Sequence, residues 1–162
     1  MLHRGTERSL CIEESGRGRP RQVGVGMEPQ TCKATVLVVE DRVNIRYLIE
    51  VALAQHRIAT IPVGTAEEAM TACRNRLPDL VLADLLLPGC PGDTFVRALR
   101  RLPGAESIPV IMLSGIDNGL AASRAAGAQG FMAKPFDVYA LMALVESHLR
   151  GSEAPQDPAT AP

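Results

Sequence analysis

The 162-residue sequence carries almost no net charge, with 17 basic residues against 18 acidic ones and a balance of −1 at neutral pH. No global cationic field is available to gather nucleic acid or an anionic membrane. Long hydrophobic runs are missing too, and nothing approaches the length of a membrane span. The expected protein is soluble and cytoplasmic. Cys11, Cys32, Cys73 and Cys90 form no close pair, and His3, His56 and His148 are equally scattered, so neither a disulfide framework nor a zinc motif is indicated. Lysine is scarce: Lys33 and Lys134 are the only two among the 17 basic residues. The length allows one domain of ordinary size with tails, large enough to bury a core without disulfides or a structural metal.

Residues 1–33 are expected to form a disordered N-terminal extension. The first 26 carry five Arg, three Glu and several Gly, without apolar periodicity or the hydrophobic core of a secretory signal. Met27, just ahead of the first regular pattern, is a candidate start of the natural chain. Residues 151–162 are rich in Pro, Ala and acid and are expected to form a disordered C-terminal tail. The domain lies between them, at 34–150.

Inside it, strand and helix patterns alternate. Thr35 to Val39 is a β-branched run followed by helical spacing of Ile45, Leu48, Ile49, Ala52 and Leu53. A second strand around Ile58 to Pro62 precedes Thr65-Ala66-Glu67-Glu68, a capping box in which Thr65 and Glu68 satisfy each other's backbone donors. Ala66, Ala69, Met70 and Cys73 form the inner face of that helix. Leu80 to Ala83, bounded by turn formers, reads as a central strand buried on both faces. After a Pro88-Gly89-Cys90-Pro91-Gly92 loop, a helix from about Asp93 turns Phe95, Val96, Leu99 and Leu102 inward. Pro109 to Leu113 is the fourth strand. Asp117 to Ala126 is a short helix interrupted by Gly119, Gln129 to Ala133 the fifth strand, and Asp137 caps a last helix with Val138, Leu141, Leu144, Val145 and His148 on one face. Five such units in alternation predict an α/β fold, a doubly wound five-stranded parallel sheet of order 2-1-3-4-5.

In such sheets ligands sit where strands end. Four strand ends deliver Glu40 and Asp41, Asp84, Ser114, and Lys134. Two carboxylates about 4 Å apart repel by roughly 4 kcal/mol at an effective dielectric of 20, so three together demand a counter-charge. Mg²⁺ binds through one or two carboxylates and keeps waters and phosphate oxygens. Asp41 and Asp84 are assigned as direct ligands, Glu40 as a ligand through water, and the Leu86 backbone carbonyl as a further one. With a metal bound, Asp84 can act as a carboxylate nucleophile toward phosphorus, while Lys134 and the Ser114 hydroxyl stabilise the phosphoryl oxygens. Each group has an ordinary reading as well: Asp41 as a helix cap, Glu40 and Asp84 as solvated acids, Ser114 as a turn residue, Phe131 as core. Their joint order along successive strand ends has no such reading.

Val-Val-Glu-Asp at 38–41, Asp84 followed by Pro88 and Gly92, Leu113-Ser114-Gly115 and Ala133-Lys134-Pro135-Phe136 together resemble the response-regulator receiver domain of two-component phosphorelay signalling, from about Thr35 to Arg150. The resemblance implies a flavodoxin-like fold and a phosphoacceptor at Asp84 with Mg²⁺ as cofactor. It implies self-catalysed phosphoryl transfer rather than turnover catalysis. It makes Ser114 and Phe131 a switch that reshapes a protein-binding face with Arg124 and Tyr139 as members, and makes the Lys134–Pro135 peptide cis, which X–Pro bonds reach at a cost of about 0.5 to 1 kcal/mol. Its implied partners are a sensor histidine kinase or histidine phosphotransfer protein and a downstream protein effector, with a phosphorylation-dependent dimer as a further allowed state. With 12 residues after position 150, the chain is read as a stand-alone receiver with no DNA-binding domain and no membrane partner.

Three positions depart from the family pattern. Arg42 follows the acidic pair and is expected to point outward. Leu86 and Ile116, two residues beyond Asp84 and Ser114, are apolar and cannot orient an attacking water, so self-dephosphorylation is expected to be slow. Competing readings are an unphosphorylated receiver-like interaction module, a truncated regulator without its output domain, and a flavodoxin-like electron carrier. Glu40 and Asp41 oppose the last by repelling a flavin phosphate.

Overall fold

The computed structural model describes residues 32–115 and 119–152. Most of the expected N-terminal extension, all but two residues of the expected tail, and Ile116 and Asp117 lie outside them. The elements run β1 (Ala34–Val39), α1 (Val43–Gln55), β2 (Ile58–Val63), α2 (Ala66–Asn75), β3 (Leu80–Asp84), α3 (Gly92–Leu99), β4 (Val110–Ser114), α4 (Gly119–Ala126), β5 (Gly130–Ala133) and α5 (Val138–Ser152). All strand pairs are parallel and the sheet order is β2-β1-β3-β4-β5, as the alternation predicts.

The two-residue period of the strands sorts their side chains into two cores. Leu37, Val39, Val81, Ala83, Val110 and Met112 meet α2, α3 and α4 on one face. Val36, Val38, Leu80, Leu82, Ile111 and Leu113 meet Ile49, Leu53, Leu141, Met142 and Val145 of α1 and α5 on the other. Fully burying a side chain of this size contributes about 1.5 to 3 kcal/mol. Because β3 lies at the centre with both faces covered, its C-terminal residue is carried to the floor of a crevice rather than to open solvent.

Several expectations are corrected in detail. Thr65 Oγ1 does accept from the Glu68 amide at 3.2 Å, but the Glu68 carboxylate reaches the Gly64 amide at 2.8 Å, one residue earlier than the capping box requires. Gly119 is the first described residue of α4, and the expected helix start at Asp117 lies outside the described residues. Helix α5 runs to Ser152, two residues past the expected boundary, since Gly151 falls in the fraying last turn where glycine costs little. Among the described residues, no helix is long and apolar enough to cross a membrane.

Candidate functional site

Strand β1 leads directly into fully buried Glu40, whose amide is tied to the Val63 carbonyl of β2 at 3.1 Å. Arg46, one turn into α1, donates from Nη1 to the Glu40 carbonyl at 2.6 Å and fixes the strand end from the helix side. Nothing in the sequence set Arg46 apart from an ordinary solvated base of an amphipathic helix. Helix α1 is capped at Arg42 without a side-chain bond, so Asp41 is not its cap. Asp41 is exposed at the mouth, and Arg42 is exposed as expected, with only its amide turned in toward Glu40 Oε1 at 3.3 Å.

Asp84 closes β3 and is 5% exposed. Its Oδ1 accepts from the Leu86 amide at 3.0 Å, and its Oδ2 accepts from Lys134 Nζ at 2.7 Å. The same ammonium donates to Glu40 Oε2 at 2.5 Å. Lys134 thereby joins the ends of β1, β3 and β5 from one point, and its side chain is only 12% exposed. Its position is set by its own amide, which donates to the Ser114 carbonyl at 2.7 Å, and by the register that pairs Ser114 with Ala133. The Lys134–Pro135 peptide is cis. Ser114 is buried at the end of β4, and Phe131 is half-buried on β5.

Gly92, which the sequence marked as part of a loop and of the family pattern after Asp84, matters for packing. A β-carbon there would collide with the Asp84 backbone carbonyl, so α3 can start against β3 only because position 92 has no side chain. The Gly92 amide donates to the Leu85 carbonyl at 2.9 Å and closes the loop over the acid. Leu86, within that loop, is exposed.

The electrostatics follow from burial. One carboxylate oxygen from each of Glu40, Asp41 and Asp84 lies within 4.8 Å of the others. With a single ammonium among three acids, the cluster is short of positive charge. Burial pushes the Glu40 carboxyl above its ordinary value; the bond and charge of Lys134 oppose this, and the Asp84 charge adds to it. Desolvation thus outweighs the stabilisation that Lys134 gives the charged form of Glu40. An all-oxygen set of this kind suits a hard divalent ion.

Fold and site together define a class: a flavodoxin-like doubly wound domain with an acidic crevice and one buried lysine at the strand ends. The sequence pattern of the response regulator receiver domain matches residues 36–146, and the chain belongs to that family. Receiver domains are phosphoacceptor modules of two-component signalling, not turnover enzymes, and they bind Mg²⁺ at an acidic pocket. Among relatives, the phosphate regulon transcriptional regulatory protein PhoB of Rhizobium meliloti is 34% identical over 117 residues, covering 71% of this chain and 52% of its own length. The DNA-binding response regulator MtrA of Mycolicibacterium smegmatis is 33% identical over 125 residues, covering 76% and 54%. Among solved structures, the receiver domain of NtrX from Brucella abortus superposes with a TM-score of 0.65 at 31% identity, over 71% of this chain and 98% of its own. A signal receiver domain of a histidine kinase from Syntrophus aciditrophicus gives 0.70 at 27% identity, over 79% and 98%.

These relatives correct one expectation. The reading of a stand-alone receiver with no DNA-binding domain, acting on a downstream protein effector alone, is overturned, because the curated relatives are themselves DNA-binding or transcriptional regulators. This chain spans about half their length. Twelve residues after position 150 carried no information on what the receiver serves.

Proposed function

We propose that Asp84 accepts a phosphoryl group from a phosphohistidine donor protein. An Asp84 carboxylate oxygen forms a bond to phosphorus as the phosphorus–nitrogen bond breaks, and the departing imidazole nitrogen keeps the electron pair. Lys134 holds the acceptor oxygen before transfer and meets the phosphoryl oxygens after it. Mg²⁺ would be held by Asp41, Asp84 and the Leu86 carbonyl, with Glu40 acting through water, and when bound it supplies charge neutralisation between carboxylate and phosphoryl oxygens. Ser114 and Phe131 then act as the switch.

The observation that carries the proposal is the single Lys134 ammonium bonded to both Glu40 and Asp84, with Asp41 beside them. The Arg42 side chain is exposed and does not neutralise the acids, which favours the phosphoacceptor reading over an unphosphorylated interaction module. A protein donor rather than a small one is favoured by helix α1. Next to Asp41 it exposes Val43, Tyr47, Leu48 and Val51, an apolar stripe at helical spacing of the kind a partner surface covers.

Incubation with Mg²⁺ and a phosphoramidate, followed by intact mass measurement, tests the reading. The expected result is a gain of one phosphate that requires both Mg²⁺ and Asp84 and is lost in Asp84→Asn. A gain that persists in Asp84→Asn contradicts it.

A further inference from the structure

Helix α4 begins in an unusual place. A β-carbon built on Gly119 would stand 2.6 Å from Ser114 Oγ, 2.7 Å from Ser114 Cβ and 2.9 Å from Phe131 Cε2, all closer than real β-carbons come. The first turn of α4 therefore rests directly on the hydroxyl and the ring that form the switch. Only a hydrogen fits between them.

The two ends of α4 are held differently. At the C-terminal end, the Gly127 carbonyl accepts from Arg100 Nη2 at 3.2 Å and from Gln129 Nε2 at 3.1 Å, and the Ala128 amide donates to the Ser123 carbonyl at 3.0 Å. Arg100 Nη1 also donates to the Ala105 and Ile108 carbonyls, at 2.8 and 2.7 Å, so one guanidinium ties this end to the segment entering β4. At the other end, buried Ser123 donates from Oγ to the Gly119 carbonyl at 2.6 Å, which fastens the first turn to the helix body. The helix is thus clamped at its end and in steric contact with the switch at its start.

We propose that Gly119 is a positioning residue for Ser114: the missing side chain lets the Ser114 hydroxyl lie against α4 and so sets where that hydroxyl stands. A β-carbon at 119 denies Ser114 its present position and drives the hydroxyl away from α4, toward the acceptor side of the strand end. The proposal rests on the phosphoacceptor reading for its trigger, but not for the contact itself.

Two measurements on the full chain test it. In the first, phosphorylation by phosphoramidate with Mg²⁺ is followed in wild type, Gly119→Ala, Ser114→Ala and the double variant. Gly119→Ala is expected to raise the maximal rate severalfold with the half-saturating donor concentration unchanged, and to have no effect once Ser114 is alanine. Equal effects in both backgrounds, or none in either, overturn the proposal. The second needs neither phosphate nor a folded Gly119→Ala. Backbone amide NMR signals of wild type and Ser114→Ala are compared, and removing the hydroxyl is expected to shift the signals of Gly119 to Ser123 while those of Gly127 and Ala128 stay. Unmoved first-turn signals overturn it. If wild type takes up no phosphate while the first-turn signals shift, the contact stands and the phosphoacceptor reading falls; phosphorylation at Asp84 with unmoved signals gives the reverse.

Discussion

Residue by residue, the crevice differs most from a generic acidic cluster at Leu86. Its amide is spent on Asp84 Oδ1, and the residue, 56% exposed, carries no polar side-chain atom to hold water. The aspartyl phosphate is therefore predicted to last minutes or longer. Leu86→Asn should shorten the lifetime by about tenfold, or roughly 1.4 kcal/mol of barrier. A wild-type lifetime of seconds, followed by mass decay after donor removal, would count against this. Away from the crevice, Glu146 on α5 accepts from His56 Nδ1 at 2.7 Å, and that bond, aided by Arg150 and Lys33, holds its carboxyl below the ordinary value. A depressed carboxyl contributes stability that is full above its unfolded pKa of about 4.3 and is lost as pH falls through the folded value. Because the pair is partly exposed, Glu146→Gln is predicted to cost only about 0.5 kcal/mol near neutrality. The cost should vanish in acid below the depressed value, as read from urea melts at both pH values. The acids, the hydroxyl and the lysine were legible in the sequence because each follows a strand pattern directly. Arg46 was not, since its role is a bond to a backbone carbonyl that no spacing encodes.

Among the elements, α3 and α4 are placed by what their first residues lack. Gly92→Ala puts a methyl group into the Asp84 carbonyl, and overpacking of this kind costs typically about 1 to 3 kcal/mol. Urea melts should show that loss, and an unchanged midpoint would mean that α3 can back away from β3 freely. Sequence reasoning found both helices but treated Gly92 as loop and Gly119 as an interruption, because a glycine's reason is a neighbouring atom from another element. The Thr65 cap was legible for the opposite reason. Its bond to Glu68 closes within one turn, whereas the Glu68 side chain chose the Gly64 amide over that of Thr65, a choice between neighbouring donors that the local sequence leaves open.

For the whole molecule, alternation of β-branched runs with amphipathic helices was enough to give the sheet order, because right-handed crossovers leave few arrangements of five parallel strands. The crevice follows from that order, since β1 and β3 are neighbours and their connections leave to opposite faces. What the receiver is attached to, or serves, was not legible, because output is not written into a phosphoacceptor fold. In the proposed chemistry one particular carboxylate of this crevice, that of Asp84, becomes phosphorylated. The most direct measurement is to phosphorylate the protein with Mg²⁺ and a phosphodonor, reduce the acyl phosphate with borohydride, and map the resulting homoserine by peptide sequencing. Homoserine is expected at position 84, dependent on Mg²⁺. Homoserine at Asp41 or at any other acid, or phosphate retained on a histidine or serine, would contradict it.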